Sequence, residues 1–574
     1  MNEFELKFEV PAASLVKLLA AVRIKKAQLQ LLQACYFDTE DQALAKHGVV
    51  IRIRRENGIW VQTIKASTNN ALERLEHNLT IDSGLNDVNN AMPSVDLSQK
   101  IPKNMRQLLE SLLKIDLDQQ TPALVPVFET DVQRLKFDVK HAGSKIEVAL
   151  DQGMIESNGK SVALCELEIE LKQGMPEHAV AVARKWRSQY GLNISTISKS
   201  MKGQRLHGDL GGNSIDPQAS SNQANQNRPN QIPPKNTNAL VKVVFESCIN
   251  QILTNASELA VYTNNKREKS STETRQEIEF IHQLRVAIRR LRVAIREFSF
   301  TVNGIDLAWE QPLVDVFRDL GKRRDADHLI HQLQPAMLVN GSPDFDMHLK
   351  EVSIVNAGSV DVASVEVASV DIGRTVRSEK FQDTLLCLIG FVNSHNLNTQ
   401  SDADNVNKND KSNKNEKNSK NKNNNEYKKN KPENANNVLK NRLNYWYKKS
   451  VKGGKKFVEL TQTQQHSVRK HFKKLRYLAE FSALCYGNSA KASKRAAAFS
   501  LNLKPVQDAL GFYNDELVAL EAYRALAKNE DKALFAVGWL SARCDFNAKK
   551  CQKAIDVFIK QTSTKNLFWQ NHTP

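Results

Sequence analysis

Residues 165–171 read Cys-Glu-Leu-Glu-Ile-Glu-Leu, with a glutamate at every second position. Residues two apart in a β-strand lie on the same face, so Glu166, Glu168 and Glu170 share one face while leucine and isoleucine occupy the other. Carboxylates this close repel one another unless a cation lies between them. The stretch therefore predicts a strand whose charged face surrounds a cation.

The same alternation recurs in other segments of the first 208 residues. The positions on the charged face are Glu3, Glu5 and Lys7; Arg52 and Arg54; Thr63 and Lys65; Arg74, Glu76 and Asn78; and Lys145, Glu147 and Asp151, with Ala149 between the last two. One such strand is most simply a half-exposed strand of an antiparallel sheet. Several together favour a ligand-binding face, on which Mg²⁺ or Mn²⁺ binds carboxylate oxygens while arginine and lysine hold phosphate. The pattern predicts phosphoryl transfer or hydrolysis.

These segments resemble, in order, the motifs of the CYTH family, also called triphosphate tunnel metalloenzymes. Glu3-Phe4-Glu5-Leu6-Lys7 matches the ExExK signature of that family, and the later matches cover 51–54, 63–65, 146–153 and 165–170. The resemblance implies a closed antiparallel β tunnel that holds triphosphate and a divalent metal. In a tunnel the charged face of each strand points inward, and the apolar face packs against surrounding helices.

The resemblance also implies roles for individual residues. The implied catalytic residues are Glu3, Glu5, Lys7, Glu168 and Glu170. The implied metal ligands, for Mg²⁺ or Mn²⁺, are Glu3, Glu5, Asp151, Glu166, Glu168 and Glu170. The implied substrate-binding cations are Lys7, Arg52, Arg54, Lys65, Arg134 and Lys199. The implied reaction is attack by an activated water on a terminal phosphorus, with the cations neutralising the leaving pyrophosphate.

The second half of the chain has helical periodicity. Its apolar residues recur three and four apart, at Ile281, Leu284, Ile288, Leu291, Ile295 and Phe298. A basic ridge runs beside them at His282, Arg285, Arg289, Arg292 and Arg296, and a similar ridge follows at His466, Arg469, Lys473 and Arg476. Residues 320–325 and 510–515 are also alike, which indicates an internal duplication.

A charged ridge is ordinarily a solvated helix face. Here no acidic residue interrupts either ridge before Glu297 and Glu480, so the usual pairing of opposite charges four residues apart is missing. The two histidines that open the ridges fit either packing or ligand contact. The ridges favour an anionic ligand.

Residues 282–292 (HQLRVAIRRLR) and 466–476 (HSVRKHFKKLR) resemble the CHAD family, whose helical domains are often fused to CYTH. This resemblance implies two related helical bundles that bind inorganic polyphosphate. The implied ligands are His282, Arg285, Arg289, Arg292, His466, Arg469, Lys473 and Arg476. The order CYTH then CHAD resembles that of bacterial inorganic triphosphatases.

The expected fold class is therefore α+β and multidomain. An antiparallel β tunnel over 1–208 precedes a flexible linker at 209–238 and an all-α, internally duplicated domain at 239–574. The linker and the Asn/Lys-rich stretch at 401–437 have too little apolar surface to fold. We expect this stretch and the repeat SVDVA-SVEVA-SVDIG at 359–373 to belong to one disordered, low-complexity insertion at about 355–437.

Charge and targeting signals narrow the class of partner. The net charge is +17, and residues 438–574 hold 25 Lys and Arg against 10 Asp and Glu, which implies a polyanionic partner. No apolar run approaches the ~20 residues that span a bilayer, and the N-terminus carries carboxylates where a signal peptide carries cations. We expect a cytoplasmic protein without a membrane partner. The seven cysteines form no CxxC pair, so neither a zinc site nor a disulfide framework is expected.

Three functions remain open at this point. Metal-dependent hydrolysis of inorganic triphosphate, with polyphosphate bound by the helical half, is the leading prediction. The second keeps the tunnel but takes an organic triphosphate, such as thiamine triphosphate, RNA 5′-triphosphate or ATP. The third is a non-catalytic binder of polyphosphate or nucleic acid. Nucleic acid is expected only as a non-specific partner, because stacking aromatics are scarce along the ridges.

Overall fold

The computed structural model describes residues 2–68, 72–81, 92–97, 101–120, 122–208, 234, 236–262, 271–343, 371–394, 397, 434–485, 490–562 and 567–570. Contacts between residues divide the chain into two compact units. The first consists of Met1–Asn227, Glu246–Ile288 and Asp371–Gly390, and the second of Arg228–Phe245, Arg289–Val370 and Phe391–Pro574. Most of the predicted linker, 209–233, lies outside the described residues.

The first unit is built around one antiparallel sheet. Its strands are β1 (Asn2–Glu9), β2 (Gln28–Asp38), β3 (Val49–Glu56), β4 (Ile59–Ser67), β5 (Glu73–Ile81), β6 (Val125–His141), β7 (Ser144–Ser157), β8 (Lys160–Gln173) and β9 (Asn193–Ile194). The strand order is β5-β4-β3-β2-β6-β7-β8-β1, and β1 also pairs with β5, which closes the sheet; β9 adds to β1. Closure confirms the predicted β tunnel.

Tight hairpins set the register of this sheet. β3–β4, β6–β7 and β7–β8 are joined by two-residue turns whose central residues all have positive φ, as in Asn158 at 49° and Gly159 at 72°. Such turns match the twist of the flanking strands, and glycine adopts this backbone without a Cβ clash. They set Arg134 opposite Asp151 and Asp151 opposite Glu166.

The apolar faces of the strands form the core outside the tunnel. Leu6, Leu167 and Ile169 have no solvent exposure. Helix α1 (Ala12–Ile24) packs on β6 and α4, and α4 (Pro176–Tyr190) packs on β1, β6, β7 and β8, with the Trp186 ring centroid 5.6 Å from that of Phe137. The charged side chains of the alternating strands therefore face the inside of the tunnel.

The remaining elements are helices. Those before residue 210 are α2 (Ala43–Lys46), α3 (Lys103–Leu113) and α5 (Lys199–His207). Those that follow are α6 (Thr237–Tyr262), α7 (Ser271–Phe298), α8 (Glu310–His328), α9 (Gln334–Val339), α10 (Ile372–Val376), α11 (Glu379–Val392), α12 (Ala435–Gly454), α13 (Gln462–Ala483), α14 (Ala490–Leu526) and α15 (Ala533–Gln561). The predicted all-α character of the second half is confirmed. Among the described helices, none is both long and apolar enough to cross a bilayer.

The predicted extent of the insertion, about 355–437, needs correction. Helices α10 and α11 lie within that span, and α12 begins inside it at Ala435. The reason is the apolar run at the end of α11, where Leu386, Leu388 and Ile389 are fully buried. Most of the repeat, 359–370, and the Asn/Lys-rich stretch through 433 lie outside the described residues.

Leu167→Ala tests whether the apolar face of β8 carries stability. The leucine is fully buried, so its truncation should lower the free energy of unfolding by about 2–5 kcal/mol. Val162→Ala on the same strand, where the side chain is 39% exposed, should change it by less than about 0.5 kcal/mol. Equilibrium urea unfolding measures both, and equal effects would contradict the assignment of faces.

Candidate active site in the β tunnel

The tunnel encloses a cavity of about 580 Å³. Alternate residues of β1–β8 line it, together with residues from the segment before α5. The predicted site residues among the lining are Glu5, Lys7, Arg52, Arg54, Lys65, Arg134, Glu166, Glu168, Glu170 and Lys199. The cavity is lined mostly by charged groups, which suits a small polyanion better than an apolar ligand.

Three carboxylates meet on one wall of the tunnel. Asp151 on β7 and Glu166 on β8 are cross-strand partners, and Glu168 follows two residues along β8 on the same face. One oxygen from each of these three carboxylates lies within 4.8 Å of the others. We call Asp151, Glu166 and Glu168 the acidic cluster.

Two cations hold the acidic cluster together. Lys199 Nζ lies 2.7 Å from carboxylate oxygens of Asp151 and Glu168, and it also contacts Glu166. Arg134 donates from Nε to Asp151 at 2.7 Å and also contacts Glu168. Burial alone would raise the pKa of the Glu168 carboxyl, but Lys199 and Arg134 outweigh it and hold that pKa well below its usual range.

The acidic cluster fits a hard divalent cation. Its donors are carboxylate oxygens, which Mg²⁺ and Mn²⁺ prefer. Glu5 faces the same cavity, and burial together with the charge of Glu168 raises the pKa of its carboxyl. A carboxyl whose pKa is raised in this way becomes easier to ionise when a cation binds beside it. Residues Glu5, Asp151, Glu166 and Glu168 are therefore those able to hold the ion.

Strands β3 and β4 contribute a basic wall to the cavity. Arg52 Nη1 donates to the Tyr36 hydroxyl at 3.5 Å, Arg54 Nε to Glu56 at 2.7 Å, and Lys65 lies 2.7 Å from Glu76. Burial and the neighbouring Arg52 lower the pKa of the Arg54 guanidinium. Adjacent buried cations of this kind favour an anion between them. We call Arg52, Arg54 and Lys65 the basic wall.

The other predicted site residues have the following positions. Lys7 lies opposite Glu168 in the β1–β8 ladder and donates to the Ile197 carbonyl. Glu170 lines the cavity and pairs with Lys172 at 2.6 Å. The backbone of Glu3 pairs with that of Arg74, and its side chain lies outside the described residues. The catalytic, metal and substrate roles remain predictions.

Several lining residues were not predicted from the sequence. Tyr36 lines the cavity from β2, its ring stacked on Phe128 with centroids 4.3 Å apart. The β2 residues that line the cavity, Gln30, Leu32, Ala34 and Tyr36, are all uncharged, so no charged stripe pointed to Tyr36. Lys136, which lies 3.3 Å from Glu147, also lines the cavity. Lys136 shares a face with Arg134, so the two-residue period could have found it.

A basic cluster lies in the second unit. Arg469 on α13 lies beside Arg289 and Arg324 and is partly buried, and burial followed by these two charges lowers the pKa of Arg469 to about 10. Its Nε has no hydrogen-bond partner among the described residues. Arg324 on α8 forms a bidentate pair with Asp515 on α14, at 3.0 and 2.7 Å. We call Arg289, Arg324 and Arg469 the basic cluster.

His466 opens the second ridge one helical turn before Arg469. Its Nδ1 lies 3.3 Å from the Asn514 side-chain oxygen. Burial, followed by the charges of Lys470 and Arg469, lowers the pKa of the His466 imidazole to about 4. The ring is therefore neutral at pH 7 and able to donate or accept a hydrogen bond.

The ridges are less uncompensated than the sequence predicted. Arg292 and Arg296 both bind Glu310, which begins α8, and Arg476 pairs with Glu480 at 2.6 Å. Glu480 lies on the same helix as Arg476, whereas Glu310 lies on the helix after Arg292 and Arg296, so spacing along one helix could not reveal it. His282 and Arg285 belong to the first unit, Arg289 and Arg292 to the second, and Lys473 lies on α13.

Family models match most of the chain. The CYTH domain model matches residues 1–203, and the CHAD domain model matches residues 259–524. An inorganic triphosphatase of Haemophilus influenzae is 26% identical over 212 residues, which are 36% of this chain and 55% of that protein. The chain thus spans about half the length of this curated relative.

Solved structures resemble each part. A CHAD domain from Ricinus communis is 15% identical and covers 57% of this chain and 95% of its own (TM-score 0.38). A putative adenylate cyclase from Bacillus halodurans is 22% identical and covers 36% of this chain and 97% of its own (TM-score 0.26). A putative adenylyl cyclase from Hippeastrum, described as having a dominant triphosphatase activity, is 19% identical and covers 35% of this chain and 95% of its own (TM-score 0.26).

The two family models, the antiparallel tunnel and the sequence motifs lead to one conclusion. Residues 1–203 are a CYTH domain and residues 259–524 are a CHAD domain, joined in that order.

Proposed function

We propose that the tunnel hydrolyses inorganic triphosphate to pyrophosphate and phosphate, with Mg²⁺ or Mn²⁺ as cofactor. The observation that carries the proposal is the pair of charged walls around one cavity, the acidic cluster and the basic wall. The relative in Haemophilus influenzae named inorganic triphosphatase supports the same substrate. The CYTH domain and the acidic cluster support a metal-dependent hydrolase.

Each wall has its own part in the proposed reaction. Glu5, Asp151, Glu166 and Glu168 would hold the divalent ion, which supplies charge neutralisation at the phosphate oxygens when bound. Arg52, Arg54 and Lys65 would bind the chain of phosphates by charge-assisted hydrogen bonds. Because these donors are already in place, they stabilise the charge that develops on the leaving pyrophosphate without reorganising.

The residues that line the cavity favour inorganic over organic triphosphate as the substrate. Among the described residues that line the cavity, Tyr36 is the one aromatic. One face of its ring is covered by Phe128, stacked at 4.3 Å and 19°. A nucleobase or a thiamine ring would need an open aromatic or apolar surface. We therefore rank organic triphosphates second.

Glu168→Gln tests the acidic cluster. The substitution keeps the shape of the side chain but removes one negative charge from the proposed ion site, so hydrolysis of triphosphate should fall at least 100-fold. EDTA should have the same effect on the unmodified protein. Glu156→Gln, on the exposed face of β7, is the matched control and should retain activity. Phosphate release with Mg²⁺, Mn²⁺ or EDTA measures all three, and full turnover in EDTA would contradict the proposal.

Arg52→Ala and Arg54→Ala test the basic wall. Each removes a charged hydrogen bond of about 1.5–3 kcal/mol, so kcat/KM should fall about 10-fold to 200-fold. Arg55 is their neighbour on the opposite face of β3, where it lies 5.8 Å from the Trp60 ring centroid. Arg55→Ala should leave kcat/KM within about 2-fold of normal. An equal loss in all three variants would mean that the strand faces are assigned wrongly.

We also propose that the CHAD domain binds inorganic polyphosphate at the basic cluster. The supporting observation is Arg469, a partly buried guanidinium beside two others, whose pKa of about 10 reflects burial and repulsion that an anion would relieve. His466, neutral at pH 7, would add a hydrogen bond to a phosphate oxygen. Nucleic acid is then a competitor bound through charge alone.

Arg289→Gln combined with Arg469→Gln tests this site in the full-length protein. Polyphosphate affinity should fall at least 10-fold and depend less steeply on salt, because fewer counterions are released on binding. Arg524→Gln, whose arginine pairs with Glu521 at the protein surface, is the control and should leave affinity unchanged. Fluorescence anisotropy with labelled polyphosphate, with duplex DNA as competitor at matched phosphate concentration, measures this. Equal competition by DNA would contradict a polyphosphate site.

A further inference from the structure

One wall of the tunnel lacks regular secondary structure. Residues 195–198 connect β9 to α5, and Ser195, Thr196 and Ser198 line the cavity. The next residue, Lys199, begins α5 and reaches the acidic cluster. The position of the Lys199 ammonium therefore depends on what holds this connection and Ile194, the last residue of β9. We call residues 194–198 the Lys199 segment.

Part of the support comes from β1. Ser195 N donates to the Lys7 carbonyl at 2.9 Å, and Lys7 Nζ donates to the Ile197 carbonyl. Inside the segment, Ile197 N donates to Ser195 Oγ at 3.2 Å. These bonds leave the backbone N–H groups of Ile194 and Thr196 for partners elsewhere.

Those two partners come from helices of the C-terminal half that belong to the first compact unit. Thr196 N donates to Ser257 Oγ on α6 at 3.0 Å, and Ile194 N donates to Gln382 Oε1 on α11 at 2.8 Å. Gln382 is oriented in turn, because its Nε2 donates to the Val376 carbonyl at 2.7 Å. The Ser257 and Gln382 residues are each 3% exposed, so water does not replace these bonds easily.

Helix α5 is held to α6 and to strand β6 of the tunnel. Arg205 on α5 binds Glu258 on α6 at 2.5 Å, and Glu258 is fully buried. Gly203 faces the Phe128 ring so closely that a Cβ at this position would lie 2.2 Å from it. That ring supports Tyr36 in the cavity lining. The helix that carries Lys199 is therefore pinned at both ends and along one side.

We propose that Ser257 and Gln382 are positioning residues for the tunnel, through which helices of the C-terminal half set the place of Lys199. Neither side chain lines the cavity. Each satisfies a backbone N–H of the Lys199 segment, and displacement of that segment moves the ammonium relative to Asp151, Glu166 and Glu168. The catalytic consequence depends on the proposed triphosphate hydrolysis, whereas the structural consequence does not.

Ser257→Ala in the full-length protein removes one of the two acceptors. Hydrogen–deuterium exchange of peptides that cover residues 194–200 should speed up at least 10-fold, because the Thr196 amide loses its partner. The kcat for triphosphate should fall on the order of 10-fold with little change in KM, since a small misplacement of a catalytic group slows the reaction more than it weakens binding. Gln382→Met, which keeps the length of the side chain and removes the acceptor at Ile194, should have the same two effects.

Ser247→Ala is the matched control. Ser247 lies on the same helix α6, and its buried hydroxyl has no hydrogen-bond partner among the described residues. Both exchange at 194–200 and kcat should stay as in the unmodified protein. A packing role alone would lower the melting temperature of all three variants without a selective change at 194–200.

The outcomes separate this inference from the proposed function. Unchanged exchange at 194–200 in both Ser257→Ala and Gln382→Met overturns the inference, whatever the protein hydrolyses. Faster exchange with unchanged kcat also overturns it. If the unmodified protein releases no phosphate from triphosphate, the proposed function fails, and exchange together with the tripolyphosphate affinity measured by calorimetry then decides whether these residues position the site.

Discussion

Compensation of buried carboxylates by cations is the interaction on which the tunnel depends. Asp151, Glu166 and Glu168 are held within a few ångströms of one another, and Asp151 is entirely shielded from water. Such a group is stable only with opposite charge in contact, which Lys199 and Arg134 provide. Under the proposed function, the acidic side of the cavity would hold a small cation and the basic side a polyanion.

In the second unit the clustered charges are positive rather than negative. Arginines from α7, α8 and α13 come together, and only part of their charge is met by acids such as Asp515 and Glu310. A partly buried guanidinium beside two others costs free energy that a bound anion would recover. Under the functions proposed above, both halves would bind condensed phosphates, each through its own arrangement of charge.

Hydrogen bonds to the Lys199 segment make the boundary of the tunnel different from the boundary of the CYTH sequence match. The match ends at residue 203, whereas the first compact unit also includes residues 246–288 and 371–390. Two buried side chains from those regions, Ser257 and Gln382, accept hydrogen bonds from the Lys199 segment, which directly precedes Lys199. A domain defined by sequence similarity can thus be smaller than the structure that positions its side chains.

The sequence by itself determined the alternating strands, the helical character of the second half and most of the charged residues that line the cavity, and its resemblance to the CYTH family implied the tunnel. Alternation with a period of two is a local property, and it specifies which side chains share a face. Only the tertiary structure decided the residues whose partners are distant in the chain. Tyr36 and Gln382 carry no local signal. Glu310 binds Arg292 and Arg296 of a ridge that looked unpaired along a single helix, and Asp515 pairs with Arg324 from another helix. The reason is physical: a strand or helix period fixes the direction of a side chain, whereas its counter-charge or hydrogen-bond acceptor is chosen by packing between elements far apart in sequence.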